Sequence, residues 1–278
     1  MILCMQTMRS RGLTVVAICL VLACGSSQAQ TITAGLDASA WFEKGMNALE
    51  GSSATGSGAN AIDYFRRSSD LGFAPAQVVL GYLYETGRST TADPYQALEL
   101  YRKAARQDDP LAQWLVGREI YLGEVPPRDL NQAASWLEKS SAHDDPFAEY
   151  LLGKIALDRN DYARSADRFR QAAEKGLPQA QRQLAMLLRD GQGLPVDKFE
   201  AYVWMLVSYD GGLRATATDL QALEAELSRT QLDQAKSEAR AREGSTARTV
   251  VAHGCTGWRG EFDVVPAPPP PDLQRFCR

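Results

Sequence analysis

Two doublets of adjacent acids, Asp108-Asp109 and Asp144-Asp145, are the first residues in this sequence whose types could do chemistry. Paired carboxylates can divide general-acid and general-base work, and a glycosidase needs two of them flanking a sugar. The doublets lie 36 residues apart, and each is followed by proline, at Pro110 and Pro146. An acid directly before proline is a helix start: its oxygen caps free backbone N–H groups, and proline suits the first turn. The doublets therefore predict helix caps, and no pair of acids is singled out as flanking a cleft. His143 adjoins Asp144 but has no nucleophile partner in sequence, which predicts a solvated turn residue. Gly191-Gln192-Gly193 has the glycine spacing of a phosphate loop, yet it falls in a loop slot that recurs along the chain. The nucleophile-elbow, zinc-protease and phosphate-loop motifs are absent. The only histidines, His143 and His253, are far apart. The expectation is no enzyme, no metal site and no cofactor.

The elements that position these residues follow from a repeat. Ala40, Ala76, Ala112 and Ala148 are each 36 apart, and Ala180 follows after 32. Gly45, Gly81, Gly117 and Gly153 keep that register, with Ala185 in the fifth slot. A second series runs Ala61, Ala97, Ala133, Ser165 and Ala201, with Phe65, Tyr101, Leu137, Phe169 and Met205 four residues further on. The spacing Ala76, Leu80-Gly81, Tyr84 places one helix face toward a core. Each repeat thus predicts two helices, and the fourth is shortened by four residues in its internal loop, about Asp158 to Asp161. Glycine inside a helix costs about 1 kcal/mol relative to alanine. Its recurrence at one register implies a neighbouring helix too close for any side chain. Asp93, Asp129, Asp161 and Asp197 precede the second helices as caps, and Gly72, Gly176 and Gly212 end them in a left-handed turn.

The pattern Gly-xxx-Ala-xxx-Leu-Gly-xx-Tyr, then a Gly-rich loop, Asp, Ala, Tyr/Trp, Ala-Ala and Gly resembles the Sel-one-like repeat, a relative of the tetratricopeptide repeat. Gly72 to Tyr84 and Tyr95 to Ala105 carry the likeness best, and it covers about residues 38 to 213. The resemblance implies an all-α fold, a right-handed α-solenoid of about five helix-pair repeats with a concave groove. It also implies an adaptor for protein complexes, often in a bacterial envelope. Cysteine-rich secreted relatives are linked to penicillin binding; this sequence lacks cysteines in its repeats. A cell-wall (peptidoglycan or β-lactam) binding protein or hydrolase is therefore the alternative reading. The expected division is a signal peptide over 1–29, the solenoid over 30–213, capping helices over 214–243 and an irregular tail over 244–278.

The ends of the chain speak to compartment. Arg9 and Arg11 precede an apolar run from Leu13 to Ala23 that is short for a membrane span, and Ser27-Gln28-Ala29 suits cleavage before Gln30. A rival is a lipoprotein signal ending at Cys24, and an uncleaved anchor is a third possibility. Export leaves two cysteines, Cys255 and Cys277, which would pair in an oxidising compartment. It also removes two arginines and no acid, taking the formal charge from −4 to −6. No Lys/Arg-dense stripe suggests nucleic acid, so the expected partner is a protein, with membrane contact only through a lipid anchor. Thr218 to Leu227 and Gln231 to Glu243 predict two capping helices, with Thr230 and Asp233 as a capping pair. Thr249-Val250-Val251 and Phe262 to Val265 could pair as short strands beside the stiff Pro268 to Pro271 run.

The candidate binding residues come from the first helices. Two residues after the repeat alanine stand Phe42, Val78, Trp114, Tyr150 and Arg182, pointing away from the apolar face. Six after it stand Met46, Tyr82, Arg118, Lys154 and Met186. Aromatics and arginine are enriched at binding hot spots. Phe42, Tyr82, Trp114, Arg118, Tyr150 and Arg182 are accordingly the candidate partner contacts, with packing against the adjacent repeat as the open alternative.

Overall fold

The structure is a computed structural model that describes residues 38–49 and 59–253, with side chains to residue 242. The described residues are all-α, without a strand. The chain divides between Ala92 and Asp93 into two compact units. The first holds α1 (38–49), α2 (Ala59–Asp70) and α3 (Ala74–Thr86). The second holds α4 (Pro94–Ala105), α5 (Pro110–Leu122), α6 (Leu130–Ser141), α7 (Pro146–Asp158), α8 (Tyr162–Glu174), α9 (Pro178–Asp190) and α10 (Lys198–Asp210). A 3₁₀ turn (Arg214–Thr216), α11 (Ala217–Glu224) and α12 (Arg229–His253) follow. In the first unit α2 packs on α3; in the second, each helix from α4 to α11 packs on its sequence neighbour, as in an α-solenoid, and α12 packs back on α10.

The caps stand where the acids predicted them. Asp109 Oδ1 accepts from the Ala112 N–H at 2.8 Å, and Asp145 Oδ1 from the Phe147 N–H at 2.9 Å. Asp93, Asp129, Asp161 and Asp197 cap α4, α6, α8 and α10 in the same way. Gly72, Gly176 and Gly212 follow second helices at φ of 88°, 90° and 102°. Asp108 and Asp144 hold the same station at φ of 60° and 62°, a conformation that short polar side chains tolerate. Each doublet is therefore one left-handed turn residue followed by one cap.

The recurring glycines are points of helix contact. A Cβ on Gly45 would stand 2.6 Å from the Phe65 ring, one on Gly117 2.6 Å from Leu137, and one on Gly153 2.7 Å from Phe169. In these three repeats the bulky residue of the second helix thus fills the space that the first helix leaves empty. Phe65 in the first unit, and Leu137 and Phe169 in the second, are fully buried. The shortened fourth repeat keeps the contact, because its deletion falls in the loop. Hydrogen bonds repeat as well. Ser68, Ser140 and Ser208, near the ends of second helices, donate to the carbonyls of Ala38, Pro110 and Pro178 at 2.6, 3.0 and 2.7 Å.

The C-terminal helices differ in detail from expectation. Ser228 and Gln231, not Thr230 and Asp233, form the capping box: the Ser228 N–H donates to Gln231 Oε1 at 3.0 Å, and the Gln231 N–H to Ser228 Oγ at 3.3 Å. Thr249-Val250-Val251 lie in the last turns of α12 rather than in a strand. The Phe262 to Val265 segment, the Cys255–Cys277 pair and Cys24 fall outside the described residues. Thr216, 36 residues after Ala180, is fully buried, so α11 begins at the station of a sixth first helix. Arg242 fixes α12 to α10, donating to Glu200 at 2.7 and 2.9 Å while its guanidinium lies 4.7 Å from the Trp204 ring.

Candidate partner-binding surface

The first helices carry the candidate residues, and burial separates them. In the first unit Phe42 is buried, its ring 5.7 Å from Phe65 and 5.4 Å from Phe73. Tyr82 is half-buried. In the second unit Trp114 is 0% exposed, edge-on to Phe147 of α7 at 6.1 Å, and Tyr150 is 3% exposed, tilted against Phe169 at 5.6 Å. Arg118 is buried with its guanidinium over the Trp114 ring, and its Nε and Nη2 both donate to Glu119 Oε1 at 2.8 and 2.5 Å.

Phe42, Trp114, Tyr150 and Arg118 therefore do not stand free on a face open to a partner. The station two residues after the repeat alanine lies at the seam between helices, where stacked neighbours cover it. Packing, the alternative left open by the sequence, accounts for all four. Arg182 departs from them. At that same station in α9 it is half-exposed, and its Nε and Nη2 donate to Asp219 Oδ2 of α11 at 3.3 and 3.0 Å. Lys154, Met186 and Arg189 on α7 and α9 are also half-exposed.

The electrostatics run along this row. Burial pushes the Tyr150 phenol up to about 12; Tyr121 adds to the rise, and Arg182 opposes it. Burial also raises Tyr121, helped by the Asp158 carboxylate and opposed by Arg128. Arg128 Nε donates to the Tyr121 carbonyl at 2.7 Å, and its Nη2 to Asp158 at 2.8 Å. Tyr150 thus feels the neighbouring first helices through Tyr121 of α5 and Arg182 of α9, and Arg182 reaches α11 at Asp219.

The acid doublets do not converge on a cleft. Asp109 is raised first by burial, against the pull of its cap hydrogen bonds, and Asp144 is exposed beside Lys175 at 3.4 Å. His143 is exposed in its turn. Gly193 serves packing: a Cβ there would stand 2.3 Å from the Tyr162 backbone. Among the described residues no three His, Cys, Asp or Glu side chains gather as a metal site, and no helix is long and apolar enough to cross a membrane.

A polar row escaped the sequence reading. Gln77, Gln113, Glu149 and Gln181 each follow the repeat alanine, and all are buried. Gln77 and Gln181 donate from Nε2 to the carbonyls of Ser69 and Ala173, eight residues earlier, at 3.3 and 3.2 Å. Glu149 instead accepts from Ser141 Oγ at 2.5 Å and from Arg168 at 2.9 Å. The 36-residue register itself carried the signal.

Four segments, residues 49–73, 74–109, 110–145 and 178–213, match the Sel1 repeat. The chain is a Sel1 repeat protein. Residues 146–177, between the third and fourth matches, hold α7 and α8, whose Gly153–Phe169 contact is that of the matched repeats. The Sel1 chain is similar to a protective antigen present in uropathogenic Escherichia coli strains that displays an SLR fold, with 26% identity and a TM-score of 0.68. That match covers 77% of this chain but only 48% of the antigen, so the chain spans about half the antigen's length. A Sel1 repeat protein from Oxalobacter formigenes shares the fold at 22% identity and a TM-score of 0.61, over 73% of this chain and 87% of that one. No curated protein matches the sequence.

Proposed function

We propose that this Sel1 repeat protein is a non-catalytic scaffold that binds a protein partner in the bacterial envelope. One observation carries the reading: the residues best suited to chemistry are spent on the repeat. Asp109 and Asp145 cap helices, Asp108 and Asp144 form turns, and Gly193 lies against a neighbouring backbone. Among the residues that the repeats leave half-exposed on the first helices are Tyr82 in the first unit and Lys154, Arg182, Met186 and Arg189 in the second. Arginine, tyrosine and methionine are the types that protein interfaces favour. The partner engages those of the second unit, while Trp114 and Tyr150 support them from within. The chain reaches its compartment through the signal over 1–29, with lipidation at Cys24 as the rival processing, and a Cys255–Cys277 bond closes its tail.

The test is an in-cell crosslinking pull-down of the exported chain, with mass spectrometry of partners and of the mature N-terminus. A saturable protein partner supports the proposal. Recovery mainly on cell-wall sacculi, or turnover of a β-lactam reporter by the purified chain, replaces it with the cell-wall reading.

A further inference from the structure

Arg182 and Arg189 sit seven residues apart on α9, two turns along one helix face. Both reach the same carboxylate. Arg182 Nη2 lies 3.0 Å from Asp219 Oδ2, and Arg189 Nη1 lies 3.6 Å from Asp219 Oδ1. Each oxygen of one acid thus faces its own guanidinium. All three side chains touch water, with Arg182 at 32%, Arg189 at 27% and Asp219 at 24% exposure. Asp219 rides on α11, an eight-residue helix with no side-chain cap at its start. So short and uncapped a helix has little stability of its own and depends on its contacts.

From this geometry we infer that Arg182 and Arg189 form a receptor for a carboxylate side chain of an acidic partner segment, with Asp219 as an internal occupant that the partner displaces. The inference rests on the scaffold reading and names the chemistry of its partner. Guanidinium groups hold carboxylates through directed paired hydrogen bonds, and a carboxylate is what the site holds in this structure. A polyanion such as nucleic acid fits poorly. Asp190 already takes Arg189 Nε and Nη2 at 2.7 and 3.0 Å, which leaves charge for a single acid rather than a phosphate run.

An internal competitor lowers apparent affinity by the fraction of time the site is open. Removing its charge without changing its shape therefore tightens binding. The probe is a fluorescein-labelled hexaglutamate peptide with an amidated end, and hexaglutamine is the control. Asp219→Asn is expected to bind the probe about tenfold more tightly than the unmodified chain. The gain fades in high salt, and Arg182→Gln abolishes it. Unchanged affinity in a folded Asp219→Asn variant overturns the inference, as does equal binding of hexaglutamine. If Asp219→Asn fails to fold, Arg182→Gln decides alone: lower affinity than the unmodified chain upholds the site, and equal affinity removes it. The scaffold reading fails separately. A partner captured equally by Arg182→Gln leaves the scaffold standing without this site. Probe binding without any captured partner leaves the site without the scaffold.

Discussion

Trp114 and Tyr150 share one station of the repeat with Arg182, yet the first two are buried and the third meets water. Trp114 and Tyr150 lie in the interior of the second unit, where Phe147 and Phe169 cover them. Arg182 lies on α9, and the helix at the next first-helix station, α11, answers it with an acid rather than a ring. One register position therefore serves packing inside the array and polar contact at its end. Rings cover this station in the interior; an ion pair meets it where α9 faces α11.

Substitutions can break or sharpen that contrast. The largest effect is expected from Trp114→Ala, which empties a fully buried site and should cost about 3–5 kcal/mol in denaturant unfolding. A loss within a few tenths of a kcal/mol would place Trp114 on the surface and dissolve the comparison. Next comes Arg168→Ala, which leaves the Glu149 carboxylate buried without its cation and should cost about 3 kcal/mol. The double variant with Glu149→Gln should regain most of that, because glutamine is what Gln77 and Gln181 use at this station.

A smaller effect should appear at high pH. The Tyr150 phenol keeps its proton in the folded chain up to about 12, whereas an unfolded tyrosine loses it near 10. The folded state thus binds more protons between those values. Its stability is full below about pH 10 and falls as pH rises toward 12, by roughly 2 kcal/mol from this group. Tyr150→Phe should show a shallower decline in unfolding measured across that window. The smallest effect is expected from Arg182→Ala, which loses a partly exposed ion pair worth about 0–1 kcal/mol. A melt that collapses on this change would make Arg182 an interior residue like its counterparts.

Most of the fold was legible because period and shape agree. Gly45, Gly117 and Gly153 announced close helix contact, and the aspartates before prolines announced caps; both signals are local, and both hold in the structure. The candidate surface was less legible, because a helical wheel knows one helix and burial depends on its neighbours. Trp114 points away from its own core face and is still covered, by a phenylalanine 33 residues further on. The capping box at Ser228 and Gln231 was misplaced by two residues, since serine and threonine at 228 and 230 offer the same oxygen. Asp219 had no sequence signal: nothing in the register of the repeats marks an acid on α11 as the partner of Arg182.

The claim on which the account turns is that the first helices bind through their half-exposed residues over a buried aromatic support. Hydroxyl-radical footprinting of the chain, alone and with its captured partner, tests this most directly. The account predicts that Trp114 stays unoxidised in both states, while Met186 oxidises in the free chain and is protected by the partner. Oxidation of Trp114 in the folded free chain, or a partner that leaves Met186 as reactive as before, would contradict it.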